Sequence, residues 1–329
     1  MPLTDTLDFG PGLDVAARSC AGAGPPPLPE NQDNLLLIDG NGRAAFLLDQ
    51  RQQNRQVSGW PAGQVRIAVL DGMGGHGHGR QAAEAVVQGL LLVPACATLE
   101  QLAERLDALH QTLQARFAAM DGAQAKRPGT TLTLLELRPG QAPLLYHVGD
   151  SRLYEITARQ ATPLTIDHVP ATTFALHGLL GEAEWWQQVH GEHRPQISQA
   201  FILGNAISDP QVLAGPLYAL ADANLPPFLR QLGDRRALTV RADALYLLAS
   251  DGFWACARPD RWVARWPALL AGLDAAGALD ALFDSFLDNP PAGLHVDNLS
   301  ALALRFRPQR PARNLDETAL PGEARPRAT

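Results

Sequence analysis

The sequence is poor in lysine, in cysteine and in long apolar runs, and each scarcity excludes something. Lys126 is the one lysine among 27 basic residues, the other 26 being scattered arginines, and against 34 acidic residues they leave a formal charge of −7. A net acidic chain without a dense basic run has no electrostatic footprint for nucleic acid or an anionic membrane, so neither is expected as a partner. The three cysteines, Cys20, Cys96 and Cys256, are odd in number and far apart. That pattern fits reduced buried thiols better than a disulfide framework or a zinc site. The longest apolar candidate, Gly89 to Leu99, is broken by Pro94 and falls well short of the roughly 18 residues of a spanning helix. Met1-Pro2-Leu3-Thr4-Asp5 also lacks the basic start and apolar run of a signal peptide. A cytoplasmic location is the expectation.

What the chain does have is apolar residues and aspartate. A hydrophobic content of 46% over 329 residues excludes wholesale disorder and leaves room for one large domain or two. The acids divide into 23 Asp and 11 Glu. Aspartate forms helices and strands poorly and belongs at caps, turns and metal sites.

Between Gly12 and Asp39, short apolar runs flank a Pro/Gly-rich turn and predict two strands; Gln50 to Gln64 is polar and reads as a surface insertion. Val65 to Leu70 reads as a buried strand, followed by a glycine-rich turn and a helical pattern over Arg80 to Val93. Leu102, Leu106, Leu109, Leu113 and Phe117 predict a second helix over Leu99 to Met120, with Thr98 as its N-cap. Thr130 to Leu137, Leu144 to Val148, Arg152 to Ile156 and Gln160 to Ile166 predict an antiparallel meander. Asp167 to Leu213 reads as a partly helical excursion. Strands resume at Ala237 to Val240 and Ala244 to Leu248, two helices fill Pro259 to Leu287, and Val296 to Phe306 closes as a strand. This order suits sheets with helix pairs on their outer faces. Residues 308–329 carry four prolines and no apolar period, which predicts a disordered tail.

Four aspartates share one context, an apolar strand that stops at Asp before a small or polar turn residue. They are Asp71 in Leu70-Asp71-Gly72, Asp150 in Gly149-Asp150-Ser151, Asp251 in Ser250-Asp251-Gly252 and Asp297 in Val296-Asp297-Asn298; Asp33 is similar but precedes its strand. Any single one is explained by turn capping. Together they place carboxylates at the lip of a sheet, where mutual repulsion and desolvation cost several kcal/mol per ion unless a cation is shared. Hard divalent cations with oxygen ligands, Mg²⁺ or Mn²⁺, answer that need. Gly72, Gly74 and Gly77 also spell G-x-G-x-x-G, but Glu100 opens a helix instead of ending a second strand, and Asp71 would face a pyrophosphate. The dinucleotide reading fails on that context.

The blocks Asn31-Gln32-Asp33, Asp71-Gly72-Met73-Gly74-Gly75-His76, Gly129-Thr130-Thr131, His147-Val148-Gly149-Asp150-Ser151-Arg152, Leu164-Thr165-Ile166-Asp167-His168, Ser250-Asp251-Gly252 and Asp297-Asn298-Leu299-Ser300 resemble the ordered motifs of the PPM/PP2C metal-dependent protein phosphatases, most closely the bacterial branch. The resemblance implies an α+β fold, a four-layer αββα sandwich of two antiparallel sheets flanked by helix pairs. It also implies a domain over 12–307, with 1–11 as a lead, 168–213 as a flap-like excursion and 308–329 as the tail. It implies two Mg²⁺ or Mn²⁺ ions, bridged by Asp71, with the Gly72 carbonyl on one and Asp251 and Asp297 on the other. Asp33 would act mainly through water, and Asp150 would help hold a weaker third ion. Such a pair of cations activates water for in-line attack on a phosphoryl group. The leaving oxygen needs a proton, for which His76 is a candidate, with helix capping as the competing role. Asp167 and His168 are expected to organise a strand end, His190 and His193 to form a polar patch, and Thr130 and Thr131 to be structural.

The pattern departs from the family at one place. Members usually carry a phosphate-clamping arginine three residues before the Asn-Gln-Asp block, and here Leu28 stands there; Arg18, Arg43 and Arg152 are the candidates to replace it. The expected activity is hydrolysis of phosphoserine and phosphothreonine on proteins, opposing a Ser/Thr kinase and carried out by a monomer. The alternative is a pseudophosphatase that binds a phosphoprotein or partner without turnover.

Overall fold

The computed structural model describes residues 3–22, 28–73, 78–120 and 127–307. The strands are β1 (Leu13–Cys20), β2 (Asn34–Ile38), β3 (Arg43–Leu48), β4 (Arg51–Gln56), β5 (Val65–Leu70), β6 (Gly72–Met73), β7 (Gly129–Thr130), β8 (Leu132–Leu137), β9 (Leu144–Val148), β10 (Arg152–Ile156), β11 (Ala161–Pro163), β12 (Gln199–Ala200), β13 (Gly204–Asn205), β14 (Arg235–Ala237), β15 (Leu245–Ala249) and β16 (Leu299–Phe306). The helices are α1 (Gly79–Leu90), α2 (Leu99–Met120), α3 (Pro170–Leu176), α4 (Glu182–His190), α5 (Pro259–Val263), α6 (Trp266–Leu270) and α7 (Ala275–Asp288).

Two large antiparallel sheets carry the fold, one in the order β14-β9-β8-β5-β2-β3-β4 and the other β1-β16-β15-β10-β11. Alternation along the strands explains why they stack. In β2 and β5, Leu35, Leu37, Ile67 and Val69 enter one core with Leu248, Leu302 and Leu304 of the other sheet. Their neighbours Leu36, Ile38, Ala68 and Leu70 face a second core with α1 and α2. A strand buried on both faces needs a continuous apolar run, and Leu35 to Ile38 and Ile67 to Leu70 supply it. α1 buries Ala82, Ala83, Val86, Val87 and Leu90, a stripe of three- and four-residue steps. On the opposite side α6 and α7 cover the five-stranded sheet through Trp266, Leu279, Leu282, Phe283 and Phe286. The result is the expected αββα stack of four layers. Among the described residues no helix is long and apolar enough to cross a membrane.

Thr98 caps α2 as expected, its Oγ1 accepting from the Gln101 amide at 3.3 Å. Other expectations are corrected. The polar stretch after Gln50 contains β4, paired with β3 along its whole length; backbone pairing at a sheet edge requires no apolar face. The meander is broken, because β9 lies in the seven-stranded sheet and β10 in the five-stranded one. The chain crosses between sheets at Gly149, whose φ of +113° only glycine adopts readily. Helices α5 to α7 replace the two read over Pro259 to Leu287. The predicted tail lies outside the described residues.

One ion pair is sealed inside the helix-facing core. Arg66 and Glu136 stand opposite each other on β5 and β8, both wholly buried, with Nε to Oε2 at 2.6 Å. Arg66 also donates to the carbonyls of Leu90, Val93 and Pro94, satisfying carbonyls at and just beyond the end of α1. Glu136 accepts from Gln64 Nε2 and the Cys96 amide. Removing one partner strands a buried charge, so Glu136→Ala is expected to cost about 3–5 kcal/mol. Urea denaturation checks this, and a loss below about 1 kcal/mol would show that the pair contributes little.

Candidate metal centre

The strand registers bring the predicted aspartates to one seam. Asn34 pairs with Leu70, so Asp33 and Asp71 are neighbours just beyond the ends of β2 and β5. Arg152 pairs with Ala249 and Ala249 with Ala301, which sets Asp150, Asp251 and Asp297 beside one another at the same end of the five-stranded sheet. The crossover at Gly149 joins the two groups.

Small polar side chains hold each turn. The Asp71 amide donates to Thr131 Oγ1 at 2.9 Å and its carbonyl accepts from the Thr131 amide at 2.8 Å; the same hydroxyl pairs with Ser151 Oγ at 2.7 Å, beside Asp150. A Cβ on Gly149 would stand 2.6 Å from Thr131 Cγ2. Thr131 thus ties the Asp71 and Asp150 turns together. On the other side Ser250 Oγ donates to Asp33 Oδ2 at 2.8 Å and accepts from the Ser300 amide at 3.0 Å. Asn298 Oδ1 accepts from the Gln32 amide at 2.7 Å, and its Nδ2 donates to the carbonyls of Ala21 and Glu30, fixing Asp297 against the Asn31-Gln32-Asp33 loop. Gly72 has no room for a side chain, since a Cβ would collide with the carbonyls of Gln32 and Gly79.

The electrostatics record the crowding. Burial pushes the Asp33 carboxyl up to about 7, with Ser250 and Ser300 holding it down and Asp297 and Asp251 raising it further. Asp71 stands well above the usual range through burial and then the charges of Asp251, Asp33, Asp297 and Asp150. Asp150 is raised by burial, Asp251 and Asp167 against the pull of Arg152. Asp251 rises to about 6 through burial and Asp297, opposed by its bond with Asp71 and by Arg152. Asp297 sits exposed at the rim, and its carboxyl is still raised, chiefly by desolvation. All five aspartates therefore share one neighbourhood. Among the described residues no three His, Cys, Asp or Glu side chains are drawn closely enough to hold an ion as they stand. The donors are nonetheless all carboxyl oxygens, which suits a hard divalent cation and not a soft one.

His76 lies outside the described residues. His190 is buried beneath Trp185 and Trp186, away from the aspartates, while His193 packs on His295 with ring centroids 5.8 Å apart and lines a cavity with Asp150 and Asp251. The arginines proposed for the missing clamp are either engaged with other groups or distant from the seam. Arg152 is buried and forked onto Asp167, Arg18 pairs with Asp280 and Asp284 on α7, and Arg43 begins β3 at the end remote from Asn34. Leu28 lines a cleft with Gly72 and Asp297, so the wall that would carry the clamp is apolar.

Sequence reasoning missed the role of Ser250 and assigned His168 only to a strand end. The Gly149 amide donates to His168 Nδ1 at 2.9 Å, which places the ring proton on Nε2, facing Asp234 Oδ2 at 3.1 Å. His147 stacks on His168 at 5.3 Å, and burial with that neighbour holds its imidazole well below the usual range. The signal available in sequence was adjacency: Ser250 and Gly149 each precede a motif aspartate.

The fold and its seam define a class, the αββα sandwich with aspartates gathered between two antiparallel sheets. A family model described as Protein phosphatase 2C matches residues 49–284, and the chain belongs to that family, a family of protein serine/threonine phosphatases. No curated protein matches the sequence. Among solved structures, the S. agalactiae serine/threonine phosphatase is similar at 19% identity, covering 90% of this chain and 100% of that one, with a TM-score of 0.59. The M. tuberculosis phosphatase PstP/Ppp is similar at 22% identity over 90% and 99% of the two chains, with a TM-score of 0.56. The PstP catalytic domain in complex with two manganese ions is similar at 21% over 90% and 98%, with a TM-score of 0.55. These likenesses show the fold.

The raised carboxyls fix the sign of a pH effect. An unfolded aspartate titrates near 3.9, while Asp251 and Asp33 titrate at about 6 and about 7 in the fold. Between those values the unfolded chain sheds protons that the native state keeps, so the stability these two groups contribute is fully present below about pH 4 and is lost as pH rises through about 7. In chelator, Tm is expected to fall between pH 5 and pH 8, with Asp33→Asn flattening the fall; a flat wild-type profile would contradict it.

Proposed function

We propose that this chain hydrolyses phosphoserine and phosphothreonine esters on proteins at a centre of two Mg²⁺ or Mn²⁺ ions. Asp71 and the Gly72 carbonyl, together with Asp251 and Asp297, would hold the pair, with Asp33 further out and Asp150 serving a weaker third ion. When bound, such ions activate water and neutralise phosphoryl oxygens during in-line displacement. The observation that carries the reading is the convergence of five strand-end aspartates, each of which the fold holds above its usual pKa. The two manganese ions in the PstP catalytic domain support it.

The chain's own residues then have distinct tasks. Ser250 orients Asp33 through Oδ2. Thr131 sets the Asp71 turn against the Asp150 turn. Gly72 lets the backbone carbonyls of Gln32 and Gly79 close in on its own backbone. His76 is the candidate to pass a proton to the leaving serine or threonine oxygen, the step that a poorly leaving alkoxide most needs. No covalent intermediate on the protein is required, and no observation favours binding without turnover. The substrates are then products of a Ser/Thr kinase, and the proposed location is the cytoplasm.

Phosphate release from a phosphothreonine peptide tests the reading. Turnover is expected with Mn²⁺ or Mg²⁺ and none in chelator. Asp251→Asn and Asp71→Asn are each expected to lose at least about 100-fold in kcat, and more than His76→Ala, whose loss falls within the 10²–10⁴ contribution of a general acid. A folded wild type inactive with both ions would sink the proposal.

A further inference from the structure

A cavity of about 80 Å³ runs from the aspartate seam toward the excursion; apart from Asp150 and Asp251, the proposed hydrolysis uses none of its lining. Asp150 and Asp251 form the wall nearest the seam; the rest of the lining is mixed, with Val169, Ala171, Phe174 and Trp254 beside the polar His193 and Gln196. The lining arginines already have partners. Arg152 gives Nε and Nη2 to Asp167, Nη1 to the Tyr154 hydroxyl and Nη2 also to the Val189 carbonyl, with its guanidinium 4.6 Å from the Trp254 ring centre. Arg194 is paired with Glu192 at 2.8 Å. Phe174 remains 42% exposed, although the other face of its helix buries Ala171, Thr172 and Ala175. A phenyl ring left in water at the rim of a partly apolar chamber is apolar surface available for burial.

We infer that this chamber seats an apolar side chain of the protein substrate, one flanking the phosphorylated residue. The inference rests on the phosphatase reading. A phosphate held at the aspartates places its peptide across Asp150 and Asp251, and an extended peptide advances about 3.3 Å per residue, so a side chain one or two positions away reaches the cavity. Arg152 is fully engaged, so an acidic side chain would have to draw Arg194 away from Glu192, whereas an apolar one can pack on Phe174, Ala171 and Trp254. The missing clamp at Leu28 fits the same picture, with part of the grip on the substrate moved from the phosphate to its neighbour.

The test is a set of phosphothreonine peptides that differ only in carrying Leu, Ser or Asp at each of the two positions on either side of the phosphoresidue, assayed with Mn²⁺. Leu is expected to exceed Ser and Asp by about 10-fold in kcat/KM at one of those positions, mainly through KM. Ala171→Trp, which fills the chamber, is expected to bring that ratio toward one, with folding confirmed by its melting curve. If that variant does not fold, Phe174→Ser at the exposed rim is expected to reduce the same ratio. Ratios within about twofold at every position in the wild type, or a ratio that survives the variant that folds, would overturn the inference while leaving the phosphatase reading intact. Absence of turnover on every peptide and on p-nitrophenyl phosphate would overturn both.

Discussion

Like charges crowded into one seam govern this molecule. Asp33, Asp71, Asp150, Asp251 and Asp297 come from strand ends of both sheets, and their mutual repulsion is opposed by the packing of two cores and by a ring of small polar groups. The inter-sheet core, with Leu35, Ile67 and Val69 against Leu248 and Leu302, keeps the seam closed. Thr131, Ser250 and Asn298 then fix where each turn sits. Stability and function pull in opposite directions here, because an apolar seam would be more stable and would bind nothing. The strain is local, and the rest of the sandwich is built on ordinary alternating strands.

Arginine is spent on architecture. Arg66 ties the end of α1 to the sheet, Arg152 braces the floor beneath the excursion, and Arg80 meets Glu30, Asp49 and Glu84 together. A guanidinium with several fixed partners has little freedom to turn toward an incoming phosphate. That explains in physical terms why Arg152 does not make good the loss of an arginine at Leu28, while Arg43 is ruled out by its place at the remote end of β3.

Much of the fold was legible because burial on both faces leaves a plain mark. Val65 to Leu70, Leu144 to Val148 and Arg152 to Ile156 were read with their observed bounds, and α2 from its leucine stripe. What periodicity does not encode is the neighbour. Alternation shows which faces are buried, so the passage of the chain from one sheet to the other at Gly149 was invisible, as was β4, whose side chains are all polar. The aspartates of the site were legible because a carboxylate at the end of an apolar run stands out. Ser250 was not, since its partner Asp33 is 217 residues away in sequence.

The contact between Gly149, His168 and Asp234 has a consequence for how this protein can diversify. His168 stands where the excursion leaves the sheets and Asp234 where it returns, and the two are joined to each other and to the turn that carries Asp150. The excursion between them has its own apolar core around Trp185, Leu220 and Leu229. A segment clasped at its neck can lengthen at small entropic expense, since closure cost grows only with the logarithm of length. The part of the excursion that faces away from the chamber it shares with Asp150 and Asp251 is then free to drift toward new partners while the chemistry beneath it stays the same.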